Sequence, residues 1–222
     1  MKKRGSILQG VTFALIVLMG TEMMSGCNAS NKAKGAAIGA TSGAVIGGVI
    51  GSKSDNTAVG AIIGAGVGGA AGALIGDKMD KQAAELKEDL KDAKIERIGE
   101  GIKITFNSGL MFDFDSFSLR PETESNLVDL AKTLNKYPDT NILIEGHTDK
   151  TGSEDYNLAL SRKRAQAVSN FLEHQAVKST RTTTEGYGEQ QTISASDEEN
   201  RRVEVAIFAN DKMKRMAKKG QL

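Results

Sequence analysis

Glycine recurs at every fourth position twice, at 35, 39, 43, 47 and 51 and again at 60, 64, 68, 72 and 76. On a helix, positions four apart share a face, so each series forms a stripe without side chains on which another backbone can pack closely. The second series repeats the first after a polar turn, Ser52-Lys53-Ser54-Asp55-Asn56-Thr57. These spacings predict a helical hairpin over 35–76, its stripes facing each other or facing copies on neighbouring chains as a homo-oligomer. In water each glycine costs a helix about 0.8–1.0 kcal/mol relative to alanine. In lipid, unpaired backbone groups are far more expensive, which forces helix, and runs of about 17 residues are just long enough to span a hydrocarbon core. The hairpin is thus expected to face a membrane; the alternative for such a composition is a flexible Gly/Ala spacer.

The segment in front carries its own membrane signal. Lys2, Lys3 and Arg4 precede an apolar run from Val11 to Gly20, the pattern of a signal peptide. It ends in Met24-Ser25-Gly26-Cys27, which resembles the lipobox of bacterial lipoproteins, and Cys27 is the single cysteine of the chain. A lone cysteine in an exported protein has no internal disulfide partner, and the resemblance implies that it is acylated after removal of 1–26, leaving 27–34 as a lipidated linker. By the same resemblance, Asn28 in place of an aspartate after the cysteine implies sorting to the cell outer membrane, with the globular part expected in the periplasm.

Charge excludes one class of partner. With 29 Lys and Arg against 28 Asp and Glu the net charge is +1, and no strongly basic domain appears, so nucleic acid is not an expected partner. The stretch 77–98 is rich in Lys, Glu, Asp and Ala, with Met79, Ala83, Leu86, Leu90, Ala93 and Ile98 at roughly helical spacing. It reads as a charged, solvated stalk helix, and the basic tail 211–222 as a solvated end.

The folded domain is expected over 99–210. Ile102, Ile104 and Phe106 alternate as in a half-buried strand, and Leu110 to Phe114 reads as a short extended piece with Phe112 and Phe114 in the core. Pro121 opens a helix whose Leu127, Leu130, Ala131 and Leu134 are spaced for one face. Asn141 to Gly146 is a central strand, and Leu158, Ala165, Val168 and Leu172 mark a second helix. Thr180 to Gly186 and Val203 to Ile207 complete the strands. The expected fold is an α/β (α+β) sandwich, ordered β-α-β-α-β-β, with helices on one side of a small mixed sheet.

The strand ending at Gly146 leads through His147-Thr148-Asp149-Lys150-Thr151-Gly152 into the helix that carries Arg164. Ligands bind where strands lead through loops into helices, and an acid beside a base there is compatible with catalysis, a salt bridge or a ligand clamp. His147 is expected to be a hydrogen-bonded structural residue. With two histidines and no thiol besides the lipobox cysteine, no metal cluster, cofactor or enzymatic activity is expected.

Phe112-Asp113-Phe114-Asp115-Ser116, Glu145-Gly146-His147-Thr148-Asp149, Tyr156-Asn157, Leu160-Ser161-Arg162, Gly186-Tyr187-Gly188-Glu189 and Asn200-Arg201-Arg202-Val203-Glu204 resemble, in series, the motifs of the OmpA-like C-terminal domain family. With the lipobox and glycine repeat, the chain as a whole resembles glycine-zipper outer-membrane lipoproteins of the YiaD type. The resemblance implies non-covalent binding of peptidoglycan through the meso-diaminopimelate of its stem peptide. It assigns Asp149 to the ligand's ammonium and Arg164 to its carboxylate, with Asn157, Thr148, Asp115, Arg201 and Arg202 around them. An envelope-assembly or stator-like factor using the same domain as a wall anchor is the alternative. The segment between Gly188 and Asn200 is shorter than the family pattern.

Overall fold

The computed structural model describes residues 56–222, and the lipobox, Cys27 and the first glycine series lie outside them. A five-stranded sheet forms the centre, in the order β1-β2-β5-β3-β4. The strands are β1 (Ala93–Ile98), β2 (Gly101–Asn107), β3 (Thr140–His147), β4 (Thr182–Gly188) and β5 (Arg202–Ala209). All neighbours are antiparallel except β3 and β4, which are parallel and joined through a helix. Helices α1 (Thr57–Ala65) and α2 (Gly69–Asp89) precede the sheet; α3 (Ser108–Met111) and α4 (Pro121–Lys136) lie between β2 and β3. Helix α5 (Glu154–His174) joins β3 to β4, α6 (Asp197–Asn200) precedes β5, and α7 (Asp211–Lys218) follows it.

The alternation read from the sequence sorts the sheet residues by face. Ile102, Ile104, Phe106, Ile142, Ile144, Val203, Val205 and Ile207 point to one side and meet Leu127, Leu130 and Leu134 of α4 and Ala165, Val168 and Leu172 of α5 in one buried core. The α/β sandwich and its expected strands and helices are therefore present, with α3 a helical turn where an extended piece was expected. Phe112 is buried, but Phe114 is 97% exposed and outside the core.

The segments in front of the domain differ from expectation. The second glycine series is not one helix of a hairpin: Gly60 and Gly64 lie in α1, the chain turns at Gly68 and Gly69 (φ 65° and 60°), and Gly72 and Gly76 fall in α2. Its close contacts are with the domain. A Cβ on Gly72 would lie 2.2 Å from a Glu100 carboxylate oxygen, and that carboxylate accepts the N–H groups of Val67 and Gly68 at 2.9 and 2.7 Å.

Helix α1 covers the second face of the sheet, packing Ala58, Ala61, Ile62 and Ala65 on Leu143, Ala206 and Phe208. Helices therefore flank both faces and not one. The approach is close enough that a Cβ on Gly101 would lie 2.6 Å from Ile62.

The expected stalk is likewise part of the globule. Ile75, Met79, Ala83, Leu86 and Leu90 form one stripe buried in the main core, so the apolar face that made 77–98 look amphipathic is covered by the domain. The helix ends at Asp89, and Ala93–Ile98 pairs along β2 as a fifth strand. A two-residue loop, Gly99-Glu100, closes that hairpin, and Gly99 at φ 51° supplies the left-handed conformation such loops need. Folded structure thus begins well before residue 99. The basic tail is also ordered: α7 buries Met213 and Ala217, and Asn210 caps it by accepting from Met213 N–H at 3.0 Å.

Because Met79 and Leu86 are fully buried, Met79→Ala and Leu86→Ala should each destabilise the domain by about 2–5 kcal/mol. Thermal melts of the two variants check this; unshifted transitions would show a detached stalk.

Candidate functional site

The site is set by how α5 lies on β3 and β4. Gly146 and Gly186 face the helix with no room for a side chain: a Cβ on Gly146 would sit 2.1 Å from the Ser161 carbonyl oxygen, and one on Gly186 2.4 Å from Arg162 Cγ. Ser161 Oγ accepts the Gly188 N–H at 2.9 Å, and Thr148 N–H donates to Gly188 O at 2.9 Å, tying the two strand ends to the helix. Ser153 caps α5, accepting from Tyr156 N–H, and Glu154 and Asp155 in the first turn complement the helix dipole.

Asp149 is buried in the loop after β3. Its Oδ1 accepts Thr151 N–H at 2.8 Å, fixing the turn, and its Oδ2 accepts from Arg201 Nη1 at 2.5 Å. Burial works against its charge, but the bonds from Arg201 and Thr151 outweigh it and hold the carboxyl below its ordinary range. The salt bridge of this loop is thus made to Arg201, not to the helix arginine.

Arg164 is buried against the Phe112 ring, its guanidinium carbon 5.2 Å from the ring centroid, and its Nε donates to Ser116 O at 2.9 Å. Among the described residues its terminal nitrogens make no hydrogen bond. Burial and then the nearby Arg201 lower its pKa, partly offset by Asp115 and Asp149. An acceptor-free guanidinium edge beside a second arginine is electrostatically prepared for a carboxylate.

The remaining expected residues divide. Asn157 is buried behind the loop, donating to Asp149 O at 3.2 Å and to Glu189 Oε2 at 2.8 Å. Asp115, at φ 58°, accepts from the Tyr156 hydroxyl. Thr148 is buried beside Asp149, its hydroxyl without a partner among the described residues. Arg202 does not join the group. It lies on the other face of β5, beneath α1, where its Nε donates to Glu204 at 2.6 Å and its Nη2 to Gln191 O at 3.1 Å. Neighbouring residues on a strand point to opposite faces, so only Arg201 of the pair reaches the site.

His147 is fully buried and stacks on Tyr187, with centroids 5.6 Å apart, yet among the described residues neither ring nitrogen has a hydrogen-bond partner. Glu189 and the ring of Phe112 join the site without having been singled out, because Glu189 acts through Asn157 and Phe112 through a stacking contact 52 residues away in sequence. A separate groove of about 330 Å³, lined by Arg162, Lys163, Gln166, Thr184 and Glu185, contains none of the expected residues.

Residues 111–205 match the OmpA family, and residues 1–80 match the YMGG-like Gly-zipper. The chain carries an OmpA-family domain. The "Probable lipoprotein YiaD" of Escherichia coli is 34% identical over 133 residues, 57% of this chain and 61% of the relative. The peptidoglycan-associated lipoprotein of Mesorhizobium japonicum is 37% identical over 102 residues, 45% of this chain and 61% of the relative. The chain thus spans about three fifths of the length of these curated relatives. The cell wall anchor of the T6SS from Pseudomonas aeruginosa shares the OmpA-family domain's architecture at a TM-score of 0.52 and 27% identity, covering 60% of this chain and 97% of that structure. The Gly-zipper match runs through α1 into α2, so part of that repeat is packed on the OmpA-family domain.

The lowered pKa of Asp149 means that its contribution to stability is complete above the unfolded value of about 3.9 and is lost only as pH falls through the lower folded value. An NMR titration of the Asp149 carboxyl should therefore have a midpoint below that of a free aspartate. In Arg201→Ala the midpoint should rise, and an unmoved midpoint would refute the ion pair.

Proposed function

We propose that this protein is a lipid-anchored outer-membrane protein that binds peptidoglycan non-covalently through the diaminopimelate of the stem peptide, its OmpA-family domain in the periplasm tethering envelope to cell wall. The observation that carries this reading is the open edge of Arg164 beside Asp149 and Arg201. Diaminopimelate presents an amino-acid end, an ammonium beside a carboxylate. The carboxylate takes the Arg164 fork, and the ammonium takes Asp149, with Arg201 moving from Asp149 to the incoming carboxylate. Asp115 supplies a second anion on the ammonium side. Asn157 and Glu189 hold the loop rather than the ligand, since the Asn157 amide already donates to both Glu189 and the Asp149 carbonyl. The names of the relatives, peptidoglycan-associated lipoproteins among them, point the same way. Recognition of this kind needs no catalytic group, and the reading is of a binder and not an enzyme.

Hydrogen bonds to charged groups contribute about 1.5–3 kcal/mol each, against an association cost of roughly 4–15 kcal/mol. One clamp therefore binds one stem peptide weakly, and many copies held in one membrane grip a continuous polymer by avidity. The first glycine series at 35–51 is the segment left to associate copies, because the second is engaged with the domain. The likeness to a cell wall anchor of a secretion machine favours a second reading, in which the same grip fixes a larger envelope assembly.

Asp149→Ala and Arg164→Ala in the full detergent-solubilised chain should each weaken co-sedimentation with diaminopimelate-type peptidoglycan by about tenfold or more, with the thermal transition retained. Undiminished pelleting of both would refute the clamp. Cys27→Ala should abolish labelling by fatty acid and release the protein from the membrane fraction; persistent labelling would rule out the lipid anchor.

A further inference from the structure

The outer face of the sheet, beneath α1, holds a group of side chains that the peptidoglycan site does not use. Glu145 on β3 stands directly opposite Glu204 on β5, and His147 lies two residues further along β3 on the same face. All three are fully buried, and one ligand atom from each can be chosen so that they all lie within 4.8 Å of one another. His147 Nε2 is 3.9 Å from Glu145 Oε2. Among the described residues neither ring nitrogen of His147 has a hydrogen-bond partner, and the Glu145 carboxylate makes no hydrogen bond of ordinary geometry, only the Ala58 backbone N–H of α1 acting on its charge. Buried polar atoms are paired in the great majority of cases, and an unpaired imidazole nitrogen of His147 facing the two carboxylates is where a shared ligand would sit.

We propose that Glu145, His147 and Glu204 bind a single divalent transition-metal ion, Zn²⁺ being the best match to this ligand set, in a structural site roofed by α1. One imidazole nitrogen and two carboxylate oxygens are ligands that Zn²⁺ takes at about 2.0–2.2 Å, so a contraction of the cluster around the ion supplies three of its four positions, the fourth being left to a water or a second carboxylate oxygen. The supports behind the ligands are in place. Arg202 Nε holds Glu204 Oε1 at 2.6 Å and the Asn56 amide donates to Oε2 at 3.2 Å, which orients Glu204 as partners behind metal ligands do.

Asn56 is also the N-cap of α1, so the roof is tied to a ligand. Loading the ion should fasten α1 to the sheet, and removing it should loosen the helix. The sequence reading assigns His147 no such role because its partner Glu204 lies on a distant strand.

The test is Zn²⁺ titration of the full, detergent-solubilised chain after chelator treatment, with hydrogen exchange of α1 as a second readout. His174→Ala serves as the control for adventitious histidine binding. Wild type and His174→Ala should each take up one Zn²⁺ per chain and slow exchange at Ala58 to Ile62. His147→Ala should bind at least about tenfold more weakly and show no zinc effect on α1. If His147→Ala lacks a cooperative melt, the isosteric Glu145→Gln is judged by the same criterion. No saturable binding by wild type, or equal binding by a folded His147→Ala or Glu145→Gln variant, would overturn the site.

Discussion

The contact on which the rest of the structure depends is the close seating of α5 on β3 and β4. It is possible only because Gly146 and Gly186 present bare backbone where the helix passes: any Cβ there would overlap Ser161 or Arg162. The same contact fixes the loop between Gly146 and Ser153, and so the distance between a loop carboxylate and a helix guanidinium two turns in. Side chains of a helix lean toward its N-terminus, which aims Arg164 back at that loop. Packing of backbone against backbone, rather than any attraction between the charged groups, holds the two charges near each other: Asp149 is paired with Arg201, while Arg164 is seated on Phe112 and the Ser116 carbonyl with its terminal nitrogens left open among the described residues.

A second constraint comes from the glycine repeat. Small residues spaced by four allow close approach to whatever surface is nearest, and for the second series that surface is the domain. Gly72 admits the Glu100 carboxylate, and α1 lies on the outer sheet face through Ala58, Ala61 and Ile62. The domain therefore uses part of the glycine repeat as cover for its own sheet. Two family matches divide the chain between them, at 1–80 and 111–205, while the structure shows α1 and α2 built into one globule with the strands.

What was legible in the sequence follows from which forces are local. Period-two alternation at Ile102 to Phe106 and Val203 to Ile207, and the spacing of Leu127 to Leu134, report burial of one face, and these elements appear where expected. Met79 to Leu90 has the same signal, but periodicity cannot say what covers an apolar face, so a core helix reads as a stalk. Ala93–Ile98 is a strand because β2 offers it an edge, a long-range cause invisible in the segment itself. Within the site, the loop and the helix arginine are legible because they are close in sequence and part of one motif series. That Arg201, and not Arg202, faces Asp149 depends on strand orientation, and the pairing of Glu145 with Glu204 depends on register. Both are settled only by the assembled sheet.

The central claim is that the Asp149 loop and Arg164 receive a zwitterionic amino-acid end. The most direct measurement is an NMR titration of the ¹⁵N-labelled chain with a soluble stem peptide containing meso-diaminopimelate, beside the same peptide with lysine in its place. The account predicts saturable shifts at Thr148 to Gly152, at the Arg164 and Arg201 side chains, and not with the lysine peptide, which lacks the second carboxylate. Equal responses to both peptides, or shifts confined to the groove of Arg162, Lys163 and Glu185, would contradict it.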